Sequence, residues 1–235
     1  MKINDLGFFL GNKKYGENLM IVYILSKNNG LIKSFSKYSK KKRLSFRILD
    51  EVNFTWQSKQ KDSLGYINFD LEASIKQNDT FINSLVKSSA SELCIKFLPL
   101  WQQNFEIYDD LLKLIDSLDT KIELIIFNYV WWEIFFLKNT GYGINLEKCS
   151  VSGSKENLYY LSPNSGNSVT YSVGHKYRSK LFKLPNCLKE KAISNNFVDY
   201  IEALKITTYF LRKSFDYDLN KFVFRTHLIN KLKTL

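Results

Sequence analysis

Ser36–Trp56 reads SKYSKKKRLSFRILDEVNFTW, and its two halves follow different rules. Lys33, Lys37, Lys40, Lys41, Lys42, Arg43 and Arg47 place seven cations before the first acid, Asp50. Like charges at this density repel, so the run is expected to face a polyanion. After Asp50 the pattern changes. Val52, Phe54 and Trp56 alternate with Asn53 and Thr55, the period of a half-buried strand. Similar short β-rich runs lie on both sides, at Leu6–Leu10, Leu19–Leu25, Leu31–Phe35 and Tyr66–Leu71. Asn28-Asn29-Gly30 separates the second and third with hairpin chemistry. Five short strands at the start of the chain predict a small closed barrel.

Beyond residue 75 the period becomes helical. Phe81, Leu85, Leu93 and Phe97 recur on one face, and Pro99 ends that run. Ile107, Leu111, Leu114, Ile115 and Leu118 form a second amphipathic set. Thr120-Lys121-Ile122-Glu123 reads as a capping box, with the Thr120 hydroxyl accepting from the Glu123 amide. The helix it opens runs to Asn139 and ends before Gly141, a left-handed cap. Being apolar nearly all round, it is expected at the centre of a bundle. Residues 144–190 are rich in Ser, Asn, Gly and Tyr and read as a compact inserted module. Phe197, Ile201, Leu204, Thr208 and Leu211 restore the helical period, with Asn195 or Asn196 as N-cap, and a weaker helical stretch covers Leu219–Leu232. The fold class is therefore α+β: a barrel domain over 1–75 and a helical domain over 76–235 that carries the 144–190 insert.

Composition narrows the function. The 235 residues carry a net charge of +11, with 45% hydrophobic and 15% aromatic residues. That is enough for a packed core, and the balance favours nucleic acid over an acidic membrane surface. The charge is +7 over residues 1–70, −4 over 71–145 and +8 over 146–235. Two basic ends thus flank an acidic middle. Leu124–Leu137, LIIFNYVWWEIFFL, is too short to span a bilayer and contains Asn128 and Glu133. A cytoplasmic protein without a membrane partner is expected.

No catalytic constellation emerges. Gly11–Asn18 resembles a phosphate loop until Glu17 and Asn18 stand where Lys and Ser/Thr are needed. His175 and His227 are the only histidines. Cys149 stands alone where a zinc knuckle needs paired thiols. Cys94 and Cys187 read as small apolar fillers. The acids at Asp50-Glu51 and Asp70–Glu72 lack distinctive metal spacing. No enzyme activity and no cofactor are expected. The basic run, by contrast, interleaves Tyr38 and Phe46 with its charges, a combination suited to phosphates and unstacked bases. Lys33, Lys37, Tyr38, Lys40, Lys41, Lys42, Arg43 and Arg47 are the expected DNA-binding residues. An adaptor for acidic protein tails and an RNA-binding barrel are the alternatives.

Several stretches carry a family likeness. Tyr15-Gly16-Glu17 opens a strand, Asn29-Gly30-Leu31 forms a hairpin, the basic run precedes Leu49–Trp56, and Leu64-Gly65-Tyr66 leads into the last strand. LKNTGYGINLEKC at Leu137–Cys149 is the most specific, followed by YYLSPNSG at Tyr159–Gly166. With these features the chain resembles the RecO family of bacterial DNA-repair mediators nearly end to end. The resemblance implies an oligonucleotide-binding (OB) fold, a helical domain and a zinc-ribbon-like insert. It implies binding of single- and double-stranded DNA, annealing, and help in loading the RecA recombinase, in the nucleoid. RecR and the acidic tail of single-stranded DNA-binding protein are the implied partners. The chain departs from zinc-bearing relatives in keeping only Cys149, so a zinc-free insert is expected. Val130 and Trp131 occupy a level where some relatives are basic. Trp131 and Lys138 are the expected tail-binding residues, with Lys121 a further substitute cation.

Overall fold

The computed structural model describes residues 1–37, 46–60, 63–72, 80–215 and 222–235. Two compact units divide the chain, Met1–Asp116 and Ser117–Leu235.

In the first unit, β1 (Lys2–Tyr15), β2 (Leu19–Ser26), β3 (Gly30–Lys37), β4 (Glu51–Gln57) and β5 (Tyr66–Leu71) form a closed barrel in the order β1-β2-β3-β5-β4. All pairings are antiparallel except β3 with β5. This OB-like barrel is the architecture expected from the alternating runs. Its interior holds Phe9, Met20, Val22, Ile24, Ile32, Val52, Phe54, Trp56, Ile67 and Phe69. Burying each such side chain contributes on the order of 1.5–3 kcal/mol.

β1 is far longer than the expected Leu6–Leu10. Its register shifts between Phe9 and Gly11, which bends the strand onto β2, and pairing then continues through Asn12, Lys13 and Lys14 to Tyr15. Those polar residues carry no apolar signal, so the strand's second half is invisible to hydrophobic periodicity. The Gly11–Asn18 stretch is accordingly strand and turn, with Gly16 at φ 64° in the hairpin.

The β2–β3 connection is held from outside. The Asp5 carboxylate accepts hydrogen bonds from the Ser26 hydroxyl, from the Asn28 amide at 3.0 Å and from the side chains of Asn28 and Asn29 at 2.7 and 2.9 Å. Gly30 closes the turn at φ 72°, where an added Cβ would lie 1.9 Å from the Gln102 carbonyl oxygen.

Two helices complete this unit. α1 (Phe81–Phe97) is capped by Thr80, whose side chain accepts from the Asn83 amide, and α2 (Phe105–Asp116) follows Asn104, which accepts from the Ile107 amide at 3.0 Å. Both cover the barrel's outer wall. Ser91 of α1 donates to the Leu10 carbonyl, and Tyr108 of α2 stacks on Phe8 at 4.7 Å. This cover explains why Phe8, Phe9 and Leu10 are buried on both strand faces. The compact unit therefore extends past the change of period at 75/76.

In the second unit a 3-10 turn (Ser117–Asp119) leads into α3 (Ile122–Asn139). The expected capping box does not form. Thr120 donates its hydroxyl to the Ser117 carbonyl at 2.6 Å, and Lys121 is the N-cap without a side-chain bond. α3 starts one residue later than the box requires, with Lys121 at the cap, so the Thr120 oxygen no longer stands at the capping position. Gly141 follows the helix at φ 88°, as expected. The insert contains a small sheet in the order β7 (Ser168–Thr170), β6 (Leu158–Leu161), β8 (Phe182–Lys183). Two short helices flank it, α4 (Tyr171–Gly174) and α5 (Asn186–Lys189). α6 (Phe197–Phe215) and α7 (Val223–Leu232) complete the unit. Asn196 caps α6 by accepting from the Val198 amide at 3.0 Å.

α3 is central but not buried all round. Ile125, Ile126, Tyr129, Val130, Trp132, Phe136 and Leu137 are core, whereas Phe135 is exposed and Phe127 and Trp131 are half-buried. Glu133 lies in the core, 1% exposed, and pairs with Arg225 of α7, 3% exposed.

Candidate nucleic-acid interface

β3 decides the character of the barrel's outer face. Ile32, Ser34 and Ser36 are buried, while Lys33, Phe35 and Lys37 alternate outward. Phe35 lies opposite Ile21 of β2 and Tyr66 of β5, and Ile21 lies opposite Lys13 of β1. One row, Lys13–Ile21–Phe35–Tyr66, thus crosses four strands. The next rung is Tyr15–Leu19–Lys37, and on the other side Tyr23 faces Lys33.

The rings of this face touch. Phe35 is 5.3 Å from Tyr15 and 6.1 Å from Tyr66, and Lys33 Nζ lies 6.0 Å from the Tyr23 ring centre. Tyr15 and Tyr66 are 54% and 57% exposed. An open cavity of about 1230 Å³ continues the platform, lined by Phe35 and Tyr66 together with Met1, Lys2, Gln57 and Lys59. Rings flanked by lysines can take base faces and phosphates together. Large exposed rings on a strand face have no structural need to be there, which makes them informative.

Of the expected DNA-binding residues, Lys33 and Lys37 stand on this platform. Tyr38, Lys40, Lys41, Lys42 and Arg43 lie outside the described residues. Arg47 is exposed in a tight turn, where its amide donates to Asp50 at 2.7 Å. Phe46, read above as a stacking ring, packs instead on Phe9 at 5.8 Å and Phe69 at 4.6 Å, against the barrel core. Sequence reasoning missed Tyr15, Tyr23, Phe35 and Tyr66. The Lys-x-Phe-x-Lys alternation at 33–37 was the available signal for Phe35; the others depend on strand pairing.

Comparison with known proteins follows the same division of the chain. The model of the Recombination protein O N-terminal region matches residues 1–74, and that of the C-terminal region matches residues 79–221. The chain belongs to the RecO family. DNA repair protein RecO of Ehrlichia chaffeensis is 30% identical over 229 residues, covering 92% of this chain and 91% of that protein. The DNA repair protein RecO of Wolbachia pipientis wMel is 30% identical over 229 residues, with 94% and 95% covered. That of Rickettsia bellii is 30% identical over 230 residues, with 97% and 91% covered.

Around Cys149 the inserted module of this RecO chain offers one thiol beside neutral hydroxyls. Cys149 is buried, and its Sγ accepts from the Ser152 amide at 3.4 Å and lies 3.9 Å from Thr170 Oγ1. Thr170 Oγ1 in turn meets Ser172 at 3.2 Å. Burial pushes the thiol up, but hydrogen bonds from Ser152, Thr170 and Val151 outweigh it and bring the pKa down to about 6. One thiolate among neutral hydroxyls falls short of the thiolate and imidazole set that a structural zinc needs. Among the described residues, no group of three His, Cys, Asp or Glu is placed to hold a metal.

On α3, Phe127, Trp131, Phe135 and Lys138 share one face. The ring centres of Phe127 and Phe135 lie 6.2 and 6.0 Å from that of Trp131, and Lys191 Nζ lies 5.9 Å from the Trp131 ring. Trp131 Nε1 is buried without a hydrogen-bond acceptor among the described residues. Lys138 is exposed at the last turn, with Glu147 4.0 Å away. No helix among the described residues is long and apolar enough to cross a membrane.

Proposed function

We propose that this RecO chain is a non-enzymatic recombination mediator in DNA repair, acting in the cytoplasm on the nucleoid. It binds single- and double-stranded DNA, anneals complementary strands and, with RecR, assists RecA loading on coated single strands. The carrying observation is the Lys13–Ile21–Phe35–Tyr66 row with its flanking Lys33 and Lys37. Annealing asks for no bond chemistry. Cations lower the repulsion between two phosphate backbones, exposed rings hold bases unstacked, and base pairing supplies the specificity. Tyr38, Lys40, Lys41, Lys42 and Arg43 follow Lys37 in the sequence and are part of this reading by their charge and ring alone. The family membership supports this reading.

The α3 stripe supports the second contact. An acidic tail ending in an apolar residue takes a ring-lined groove with a cation at its rim. Trp131 supplies a half-buried ring, flanked by Phe127 and Phe135. Lys138 supplies a cation at the negative end of the helix dipole.

Binding of single-stranded DNA by a Phe35→Ala/Tyr66→Ala variant tests the platform. Each stacked base lost weakens binding by about 1–3 kcal/mol, and the salt slope stays unchanged because no cation is removed. Unchanged affinity would place the DNA elsewhere. Equal competition by matched RNA would move the reading to RNA. Lys138→Glu lowers affinity for the tail peptide while leaving naked DNA binding intact; loss of neither, or of both equally, removes the α3 assignment.

A further inference from the structure

The second unit carries another concentration of cations and rings. Residues 171–191 contain six Lys or Arg and one acid, Glu190. Glu190 lies 3.6 Å from Lys189. Lys176, Arg178, Lys180 and Lys183 are exposed and have no ion pair among the described residues.

The local fold spreads these charges in an ordered strip. Residues His175–Lys180 form a 3-10 turn, in which side chains three apart eclipse. Arg178 thus stands over His175, with Nη1 3.4 Å from Nε2. The His175 ring packs on Tyr171 at 4.7 Å, and Tyr171 meets Tyr159 edge-on at 5.1 Å. Lys183 Nζ lies 5.5 Å from the centre of the Tyr159 ring. Lys183, Tyr159, Tyr171, His175 and Arg178 are therefore one continuous chain of contacts. Beside it, Lys176 Nζ lies 5.1 Å from the Tyr177 ring. Tyr171 and Tyr177 are 48% and 52% exposed.

We propose that this strip is a second, independent contact for single-stranded nucleic acid, with Lys176, Arg178, Lys180 and Lys183 on phosphates and Tyr171 and Tyr177 under bases. An acidic peptide would satisfy the cations alone. It would leave two exposed rings without a flat partner, whereas a single strand supplies charge and π-faces along one chain. The inference rests on the DNA-binding reading above and adds to it: a chain with two separate single-strand contacts can hold two strands at once.

The test uses the whole protein and a non-complementary oligothymidine of about eight nucleotides, within the span of one such contact. Stoichiometry is read at low salt for the wild type, for Lys176→Glu/Arg178→Glu/Lys180→Glu, and for Phe35→Ala/Tyr66→Ala. The expected result is two oligonucleotides per wild-type chain and one per triple variant. Photo-crosslinks from 5-iododeoxyuridine to Tyr171 or Tyr177 should persist in the barrel variant. Removing the same three cations as alanines should lower the log–log salt slope for a long single strand by about 2, at roughly 0.7 per phosphate contact. The three side chains are exposed, so an unchanged thermal midpoint is expected and certifies the fold. Equal stoichiometry and slope in wild type and triple variant overturn the second contact. So does loss of an acidic-peptide interaction with DNA stoichiometry unchanged, which assigns the strip to a protein partner. No binding by the wild type would instead remove the DNA-binding reading itself.

Discussion

Replacing Arg225 with methionine removes the one cation paired with Glu133 among the described residues of the second unit's core. The guanidinium reaches Glu133 through Nε–Oε1 at 2.7 Å and Nη2–Oε2 at 2.9 Å. It also donates to Thr207 Oγ1 at 3.0 Å, to the Leu204 carbonyl at 3.1 Å and to Thr208 Oγ1 at 2.8 Å. Burial opposes the arginine's charge, and the Glu133 carboxylate outweighs that opposition and holds it protonated. After Arg225→Met, Glu133 keeps a Thr207 hydroxyl at 2.5 Å but no counter-charge among the described residues. Breaking a buried pair on one side costs about 3–5 kcal/mol. At roughly 4 °C per kcal/mol for a domain of this size, the thermal midpoint falls by about 12–20 °C. Replacing both partners, as Glu133→Leu/Arg225→Met, removes the stranded charge with the pair. That double variant is expected within about 2 kcal/mol of wild type. Hydrogen exchange of α3 peptides across a urea series reads the second unit without a contribution from the barrel. An Arg225→Met loss below about 1 kcal/mol, or strict additivity in the cycle, would refute the account of this pair.

Gly30→Ala forces a Cβ against the Gln102 carbonyl at a positive φ, and is expected to destabilise the barrel unit by more than about 1 kcal/mol in urea unfolding. Asp5 titrates below the ordinary aspartate value: burial pushes it up, but hydrogen bonds from Ser26, Asn28 and Leu6 outweigh that. A lowered folded value means its stabilisation is present above the unfolded pKa of about 4 and is lost as pH falls through the folded one. Asp5→Asn should lower stability at neutral pH and flatten that acid limb. Elemental analysis of protein purified without chelators should find no bound zinc; one tightly held zinc per chain would contradict the ligand count at Cys149.

The strands that were legible in the sequence are those with one wet face. β4 alternates Val52, Phe54 and Trp56 with polar residues, and β2 and β3 sit either side of a turn signal. β1 was cut short because α1 and α2 bury its middle on both faces and its polar end pairs without apolar residues. The basic character of β3 was legible in Lys33 and Lys37. The ring pair was not, because Phe35 meets Tyr66 only through the parallel closure of the barrel, which no local pattern records. The same holds for Glu133 and Arg225, whose pairing depends on α3 meeting α7 and leaves no local pattern in either helix. Thr120 shows the opposite failure: a correct local motif displaced because α3 starts one residue later, with Lys121 at the cap.

The closure of the barrel has a dynamic consequence. Among the described residues, β3 and β5 meet at one register pair, Phe35 with Tyr66, and the Phe35 amide donates to Gly65 at 3.2 Å. Every other neighbour pair in the ring shares at least six register pairs. The ring therefore has a seam, and breathing should begin there, with the Phe35 amide exchanging ahead of its neighbours on β2. Phe35 and Tyr66, the rings that straddle the seam, are the ones proposed to stack on bases. A strand lying across them would act as a staple, so bound DNA and a closed barrel would each favour the other, and the exchange rate at Phe35 would report occupancy.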